Sequence, residues 1–257
     1  MQPIEILGLG ASAFIAGTIN AVAGGGTLVT FPALLYLGTP PLVANATSTL
    51  GLFLGTSGSV FGFRRYLSAV RPVLQQLLPV SLIGGLLGSL LLTITSERLF
   101  SKLVPFLILF ATLLFLAQGV IKQGVSRIGI PESDRTSRVS GRWMLFYFWV
   151  ALYGGYFGAG IGILMLATFG WLGLKNIHEM NALKTVLGCL INCVATVWFI
   201  FAGLVDWRKA AVLTLGAIAG YYLGSRFSQR IPQTAVKRIV VAIGFGIAAM
   251  TFYKEFW

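Results

Sequence analysis

Residues 17–49 read GTINAVAGGGTLVTFPALLYLGTPPLVANATST, and this stretch decides the fold. It opens as an apolar helix and meets three consecutive glycines, Gly24, Gly25 and Gly26. Glycine costs about 1 kcal/mol relative to alanine inside a helix, so the triplet predicts a break. A second apolar run continues to Leu37 and turns at Thr39-Pro40-Pro41. The helix after the turn opens with Asn45, Thr47, Ser48 and Thr49. Close packing through small residues is one explanation of glycines in membrane helices. The adjacent polar cluster favours another: a cavity-lining break. Backbone freed in hydrocarbon is satisfied by protein or by water in a cavity, and free N–H groups at a helix start suit an anion.

The rest of the chain supports a membrane reading. Of 257 residues, 56% are hydrophobic and only 10% are charged, against about 25% charged in a soluble domain. The formal charge of +12 fits basic cytoplasmic loops facing anionic lipid. No spaced Cys/His set, P-loop or long basic helix points to nucleic acid. Cys189 and Cys193 lie four apart in one apolar segment, as reduced core residues with no partner ligands for a metal. The start, MQPIEILG, lacks the basic region of a cleavable signal peptide.

A bilayer crossing takes about 20 apolar residues. Segments are expected at 4–22, 27–38, 42–63, 72–94, 99–121, 143–159, 161–174, 179–203, 207–227 and 235–253, the second and seventh being short for a full crossing. That predicts an all-α polytopic membrane protein with about 8–10 membrane segments. The long polar stretch Lys122–Arg142 divides it into a first transmembrane repeat (1–121), a cytoplasmic linker (122–142) and a second repeat (143–257). An offset of 136 pairs Gly24 with Gly160, Gly26 with Gly162, Asn45-Ala46 with Asn181-Ala182 and Thr49 with Thr185. Further on, without a gap, it pairs Gly84, Gly88 and Ser89 with Gly220, Gly224 and Ser225. One offset joining several motifs predicts a duplication. Each repeat is then a glycine-broken helical hairpin plus three transmembrane helices. The Gly84/Gly88 and Gly220/Gly224 faces are either a rocking seam or static close packing.

Charge predicts that the repeats are inverted. An inverted arrangement puts Arg64, Arg65, Arg71, the linker bases, Lys175, Arg226, Arg230, Lys237 and Arg238 on the cytoplasmic side, 13 of the 19 basic residues. Arg98, Lys102, Arg208, Lys209 and Lys254 fall outside, with both termini. A parallel arrangement gives a weaker bias toward the inside. Trp143, Trp171, Trp207 and Trp257 fall at segment ends, where interfacial aromatics belong.

The residues expected to bind substrate follow from the duplicated motifs. They are Asn20, Gly24, Gly25, Gly26, Asn45, Thr47, Ser48 and Thr49 in the first half. Gly160, Asn181, Lys184, Thr185 and Asn192, the last matching Thr56, complete the set in the second. Asparagines at helix starts also serve as caps. Two of them meeting across a pseudo-twofold axis, Asn45 and Asn181, would form a polar pocket near the midplane. Lys184 stands where the first copy has Ser48. A charge inside a spanning segment costs about 2.5–3.5 kcal/mol on insertion scales. It therefore either snorkels to the headgroups or serves as the counter-charge for an anion. His178 and Glu179 open the same helix; Glu suits the helix dipole there, and proton coupling is the alternative role. No hydrolytic triad, metal site or cofactor motif is present, so no enzyme is expected.

These motifs carry a resemblance. GTINAVAGGGTLVTFPALLYLG followed by ANATST, and GAGIGILMLATFGWLGL followed by EMNALK, resemble the TauE/SafE sulfite-exporter (TSUP) family across nearly the whole chain. The pattern Ala44-Asn45-Ala46-Thr47-Ser48 is a close match, while the second copy departs at Leu183 and Lys184. The resemblance implies a multi-pass protein of the inner membrane. It implies a secondary transporter, in the exporting direction, for small sulfur anions such as sulfite or organosulfonates (sulfoacetate), working by alternating access. A passive anion channel and a non-transport membrane protein of sulfur metabolism are the alternatives. Sulfonates offer three acceptor oxygens and one negative charge, which the amides, hydroxyls and Lys184 match.

Overall fold

A computed structural model describes residues 1–22, 25–57, 64–127, 139–174, 176–227 and 233–257. Ten α-helices and no strand occur among the described residues. The first half holds α1 (Pro3–Val22), α2 (Thr27–Tyr36), α3 (Pro41–Ser57), α4 (Arg64–Ile94) and α5 (Glu97–Arg127). The second holds α6 (Gly141–Tyr156), α7 (Ile161–Trp171), α8 (Ile177–Phe201), α9 (Trp207–Phe227) and α10 (Gln233–Phe256). The starts of α3 and α8, Pro41 and Ile177, differ by 136 positions, as do those of α5 and α10, Glu97 and Gln233.

Among the described residues, five helices are long and apolar enough to cross a membrane: α1, α4, α5, α8 and α10. The short apolar helices α2 and α7 sit between longer ones. Local chemistry sets the boundaries. Pro41 opens α3, where its missing N–H leaves no bond unmade. Gly38, Gly173 and Gly203 take φ of 71°, 85° and 69° just past α2, α7 and α8. The next N–H then folds back onto the helix: Thr39 onto the Leu34 carbonyl at 3.0 Å, Leu174 onto Phe169 at 3.1 Å, and Leu204 onto Phe199 at 3.0 Å.

Two expected boundaries move. α4 begins at Arg64 rather than near residue 72, and α5 runs through Arg127, so Lys122–Arg127 of the expected linker is helical. Each of these helices has 31 residues. At about 1.5 Å per residue they reach about 46 Å, longer than a hydrocarbon core of about 30 Å. Their polar ends can continue into water without unmaking backbone bonds. The remainder of the linker up to residue 138, and the end of the expected segment 42–63, lie outside the described residues.

Packing runs between the halves. α1 packs on α9 and α6 on α4; α3 packs on α9 and α8 on α4. α3 also meets α8, and α5 meets α10. Shifting each partner by 136 positions exchanges the members of these pairs. The glycine faces are what let the helices close. A Cβ on Gly88 would strike the Leu152 carbonyl and one on Gly84 would come within 2.7 Å of Ala151 Cβ, both on α6. Gly220 and Gly224 meet Phe14 and Thr18 of α1 in the same way, and the Thr18 hydroxyl donates to the Gly220 carbonyl at 3.1 Å. One apolar core gathers Phe31, Phe100, Phe115, Phe157 and Phe199. A second gathers Val70, Leu77, Tyr147, Phe169, Leu183 and Leu187.

Candidate functional site

Both helix breaks open onto one cavity. The first lies between α1 and α2. Gly25 takes φ 95°, and a Cβ there would overlap the ring of Phe115. The Gly26 N–H, freed by the break, is donated to Asn20 Oδ1 at 2.8 Å. The second break lies between α6 and α7, with Gly158 and Gly160 at φ 74° and 75°. Here the Tyr153 hydroxyl donates to the Ala159 carbonyl at 2.6 Å, and Asn45 Nδ2 donates to the Tyr156 carbonyl at 2.9 Å. Gly24 lies outside the described residues.

The cavity has a volume of about 250 Å³, below the roughly 300–1,000 Å³ of sites for drug-sized ligands. One wall is the start of α2 and the end of α1, with Asn20, Gly25 and Thr27. Another is the start of α7, with Gly158, Gly160, Ile161 and Gly162. α3 contributes Thr49, Leu52 and Thr56. α8 contributes Asn181, Lys184, Thr185, Gly188, Cys189 and Asn192. The spacings on α3 and α8 are steps of three and four, the period of one helix face. Phe157, Met165 and Tyr221 supply apolar and aromatic surface.

Lys184 is the one charged side chain among the described lining residues. Its stem lies over the second break: a Cβ on Gly162 would sit 3.2 Å from Lys184 Cδ. The ammonium makes no hydrogen bond or ion pair to another described residue, and neither do the amides of Asn181 and Asn192. These donors face the cavity with no described residue receiving them.

Of the residues expected at the site, Asn20, Gly25, Thr49, Gly160, Asn181, Lys184, Thr185 and Asn192 line the cavity. Gly26, Asn45, Thr47, Ser48, His178 and Glu179 are not among the lining residues. Gly26 is buried behind Asn20. Asn45 is 1% exposed, one turn before Thr49, and its Oδ1 has no partner among the described residues. Thr47 and Ser48 are rotated away from Thr49 by about 200° and 100° around α3. The Thr47 hydroxyl accepts the Asp206 N–H at 3.0 Å, and the Ser48 hydroxyl pairs with that of Thr30 at 2.6 Å. The exposed His178 stacks on Tyr66 with centroids 5.3 Å apart. Glu179 accepts a bond from Asn176, the residue that caps α8. Met165, Cys189 and Tyr221 were not expected at the site. Cys189 follows from Lys184 and Thr185 by helical period, whereas nothing local marks Tyr221, which arrives from α9.

The sequence profile described as "Sulfite exporter TauE/SafE" matches residues 9–251. The chain belongs to the TauE/SafE family. Among curated relatives of this TauE/SafE protein is a "Probable membrane transporter protein" of Haemophilus influenzae. It is 33% identical over 250 residues, covering 95% of this chain and 93% of the relative. A "Probable membrane transporter protein ORF9" of a Sinorhizobium species is 29% identical, covering 92% and 88%. The "Probable membrane transporter protein YfcA" of Escherichia coli K12 is 27% identical, covering 95% and 88%. No solved structure matches. Together with the five apolar helices, the membership makes this TauE/SafE chain an integral membrane protein.

Proposed function

We propose that the chain is a secondary transporter that exports small sulfur-containing anions, sulfite or organosulfonates such as sulfoacetate, across the inner membrane by alternating access. The observation that carries this reading is the Lys184 ammonium, without a partner among the described residues, in a cavity bordered by both helix breaks. Lys184 supplies the counter-charge. Asn20, Asn181, Asn192 and Thr185 supply neutral donors, Thr49 lines the wall with its hydroxyl donated to the Asn45 carbonyl at 2.8 Å, and Gly25 and Gly160 let the backbone approach. The starts of α2 and α7 bring their positive ends to the same space. A membrane enzyme would need reacting groups at such a site, and these residues are suited to holding an anion.

In this reading the halves are two inverted repeats, with both termini outside and the linker in the cytoplasm. The exchange of packing partners under one offset supports two equivalent units, and the charge distribution supports their inversion. Rocking of one unit against the other about the cavity would expose it to each side in turn.

The test is flux in liposomes holding only the purified protein. Labelled sulfite or sulfoacetate should accumulate saturably, and unlabelled anion on the far side should accelerate it. Flux that rises linearly with concentration without that acceleration assigns a channel. Absence of flux with every sulfur anion assigns a role other than transport.

A further inference from the structure

We infer that the cavity accepts sulfur anions that carry no cationic group and rejects their zwitterionic analogues. The inference rests on the anion-transport reading and narrows its substrate class.

It comes from where the acidic side chains are. The chain has seven. Glu5 accepts the Gln2 N–H at the start of α1. Glu97 accepts the Leu42 N–H at the start of α3, and Glu179 is held by Asn176. Asp206 is paired with Lys209 at 3.2 Å, and Glu255 lies at the end of α10. None of these five lines the cavity. Glu132 and Asp134 belong to the linker stretch outside the described residues.

An ammonium carried into the cavity would therefore meet Lys184 and the positive starts of two helices, with no described carboxylate in the lining to receive it. The neutral acceptors include the amide oxygens of Asn20, which already accepts the Gly26 N–H, and of Asn181 and Asn192; they can take a hydrogen bond from an ammonium but do not offset its repulsion from Lys184 as a carboxylate would. Phe157 and Tyr221 offer ring surface, a weaker recognition for a cation than a carboxylate provides. A hydroxyl in the same place meets no such opposition, because it can accept from the Asn181 or Asn192 amide. The discrimination is thus a like-charge effect within a small space, the kind that suppresses wrong partners by several kcal/mol at interfaces.

Two sulfonates of equal length isolate the effect: 2-hydroxyethanesulfonate and 2-aminoethanesulfonate, the second zwitterionic at pH 7. Each is titrated by calorimetry into purified protein and then used to compete with labelled sulfoacetate in liposomes. The hydroxy compound should bind more than about tenfold tighter. Lys184→Met should shrink that ratio by weakening the hydroxy compound and relieving the amino compound, whereas Lys184→Arg, which keeps the charge, should preserve it. Monodispersity and thermal unfolding establish that both variants are folded. Equal binding of the two sulfonates, or a ratio unchanged in folded Lys184→Met, overturns the inference and leaves anion transport standing. Failure of both sulfonates and of sulfite to bind overturns the transport reading itself.

Discussion

The two halves place the same motif in the same part of the fold and use it differently. In the first, Ser48 is buried and spends its hydroxyl on Thr30. At the matching positions of the second, 184 and 166, stand Lys and Leu. Leu166 offers no hydrogen bond, and Lys184 extends into the cavity. Thr47 binds the Asp206 backbone at 3.0 Å; its counterpart Leu183 shares an apolar cluster with Val70, the counterpart of Asp206. Asn20 holds its break with a side-chain oxygen, while Tyr156, the matching residue, holds the other with a backbone carbonyl that accepts from Asn45. Matching positions thus carry polar interlocks in the first half and the cavity-lining charge in the second. Positions that match by one offset need not contribute equally to the cavity.

The breaks themselves give the largest test of that asymmetry. Gly25 is crowded by the Phe115 ring, whereas a Cβ on Gly160 would find its nearest atom 3.6 Å away. Both have positive φ, so alanine costs about 1–2 kcal/mol at either from backbone strain alone. Gly25→Ala should lose about 1–3 kcal/mol more through the clash with the Phe115 ring, comparable to overpacking a core. Thermal unfolding in detergent should rank Gly25→Ala far below Gly160→Ala. Equal melting temperatures would mean that the two breaks are equally tight.

Next comes the charge. Lys184→Met should reduce the affinity for sulfite or sulfoacetate by about tenfold or more, in line with about 1.5–3 kcal/mol for a hydrogen bond to a charged group. Raising salt should weaken wild-type binding as well. The reciprocal change, Ser48→Lys, should gain no affinity. It should destabilise the protein, because Ser48 is buried against Thr30 rather than facing the cavity. Unchanged calorimetric affinity in Lys184→Met would remove the residue from the binding shell.

How much of this was legible depends on the range of the contacts. The ten segments and the breaks follow from local composition, and the described residues form ten helices in that order. Lys184, Asn181, Thr185 and Asn192 share one helix face, so the α8 wall followed from spacing alone. Polarity did not reveal rotation within the cluster at 45–49. Thr47 and Ser48 are as polar as Thr49, and only their partners Asp206 and Thr30 show where they point. Tyr221 and Gly25's neighbour Phe115 come from distant helices, where no local pattern marks them. The extension of α4 back to Arg64 was hidden because hydropathy ends at the membrane surface, whereas a helix does not.

The asparagines separate position from role. Equivalence in sequence predicts that Asn45→Leu and Asn181→Leu behave alike. The geometry predicts otherwise. Asn45→Leu leaves the Tyr156 carbonyl without its side-chain donor beside the second break, at a cost of about 1–3 kcal/mol. Asn181→Leu removes a cavity amide that pairs with nothing described. The first should lower the melting temperature. The second should keep it and weaken anion binding severalfold. Matching losses of affinity at full stability would restore the symmetric pocket.

The smallest effect is expected where the first half meets α9. Lys209 reaches Asp206 Oδ2 at 3.2 Å and the Thr39 hydroxyl at 2.9 Å, tying the α2–α3 turn to the start of α9. The matching position, Val73, packs against the second apolar core. The pair is partly exposed, so Lys209→Met should cost no more than about 1 kcal/mol. Asp206 does more: its Oδ1 accepts the Lys209 N–H at 3.1 Å and caps α9. Asp206→Ala should lose that cap as well, about another 1 kcal/mol. Salt distinguishes the two contributions. Between 0.1 M and 1 M the screening length falls from about 10 Å to about 3 Å. The ion-pair share of the Lys209→Met deficit in melting temperature should then be screened away, leaving only the share of its bond to the Thr39 hydroxyl, while most of the Asp206→Ala deficit persists. If both deficits vanish together, the carboxylate acts through charge alone and the polar interlock of this half reduces to an ion pair.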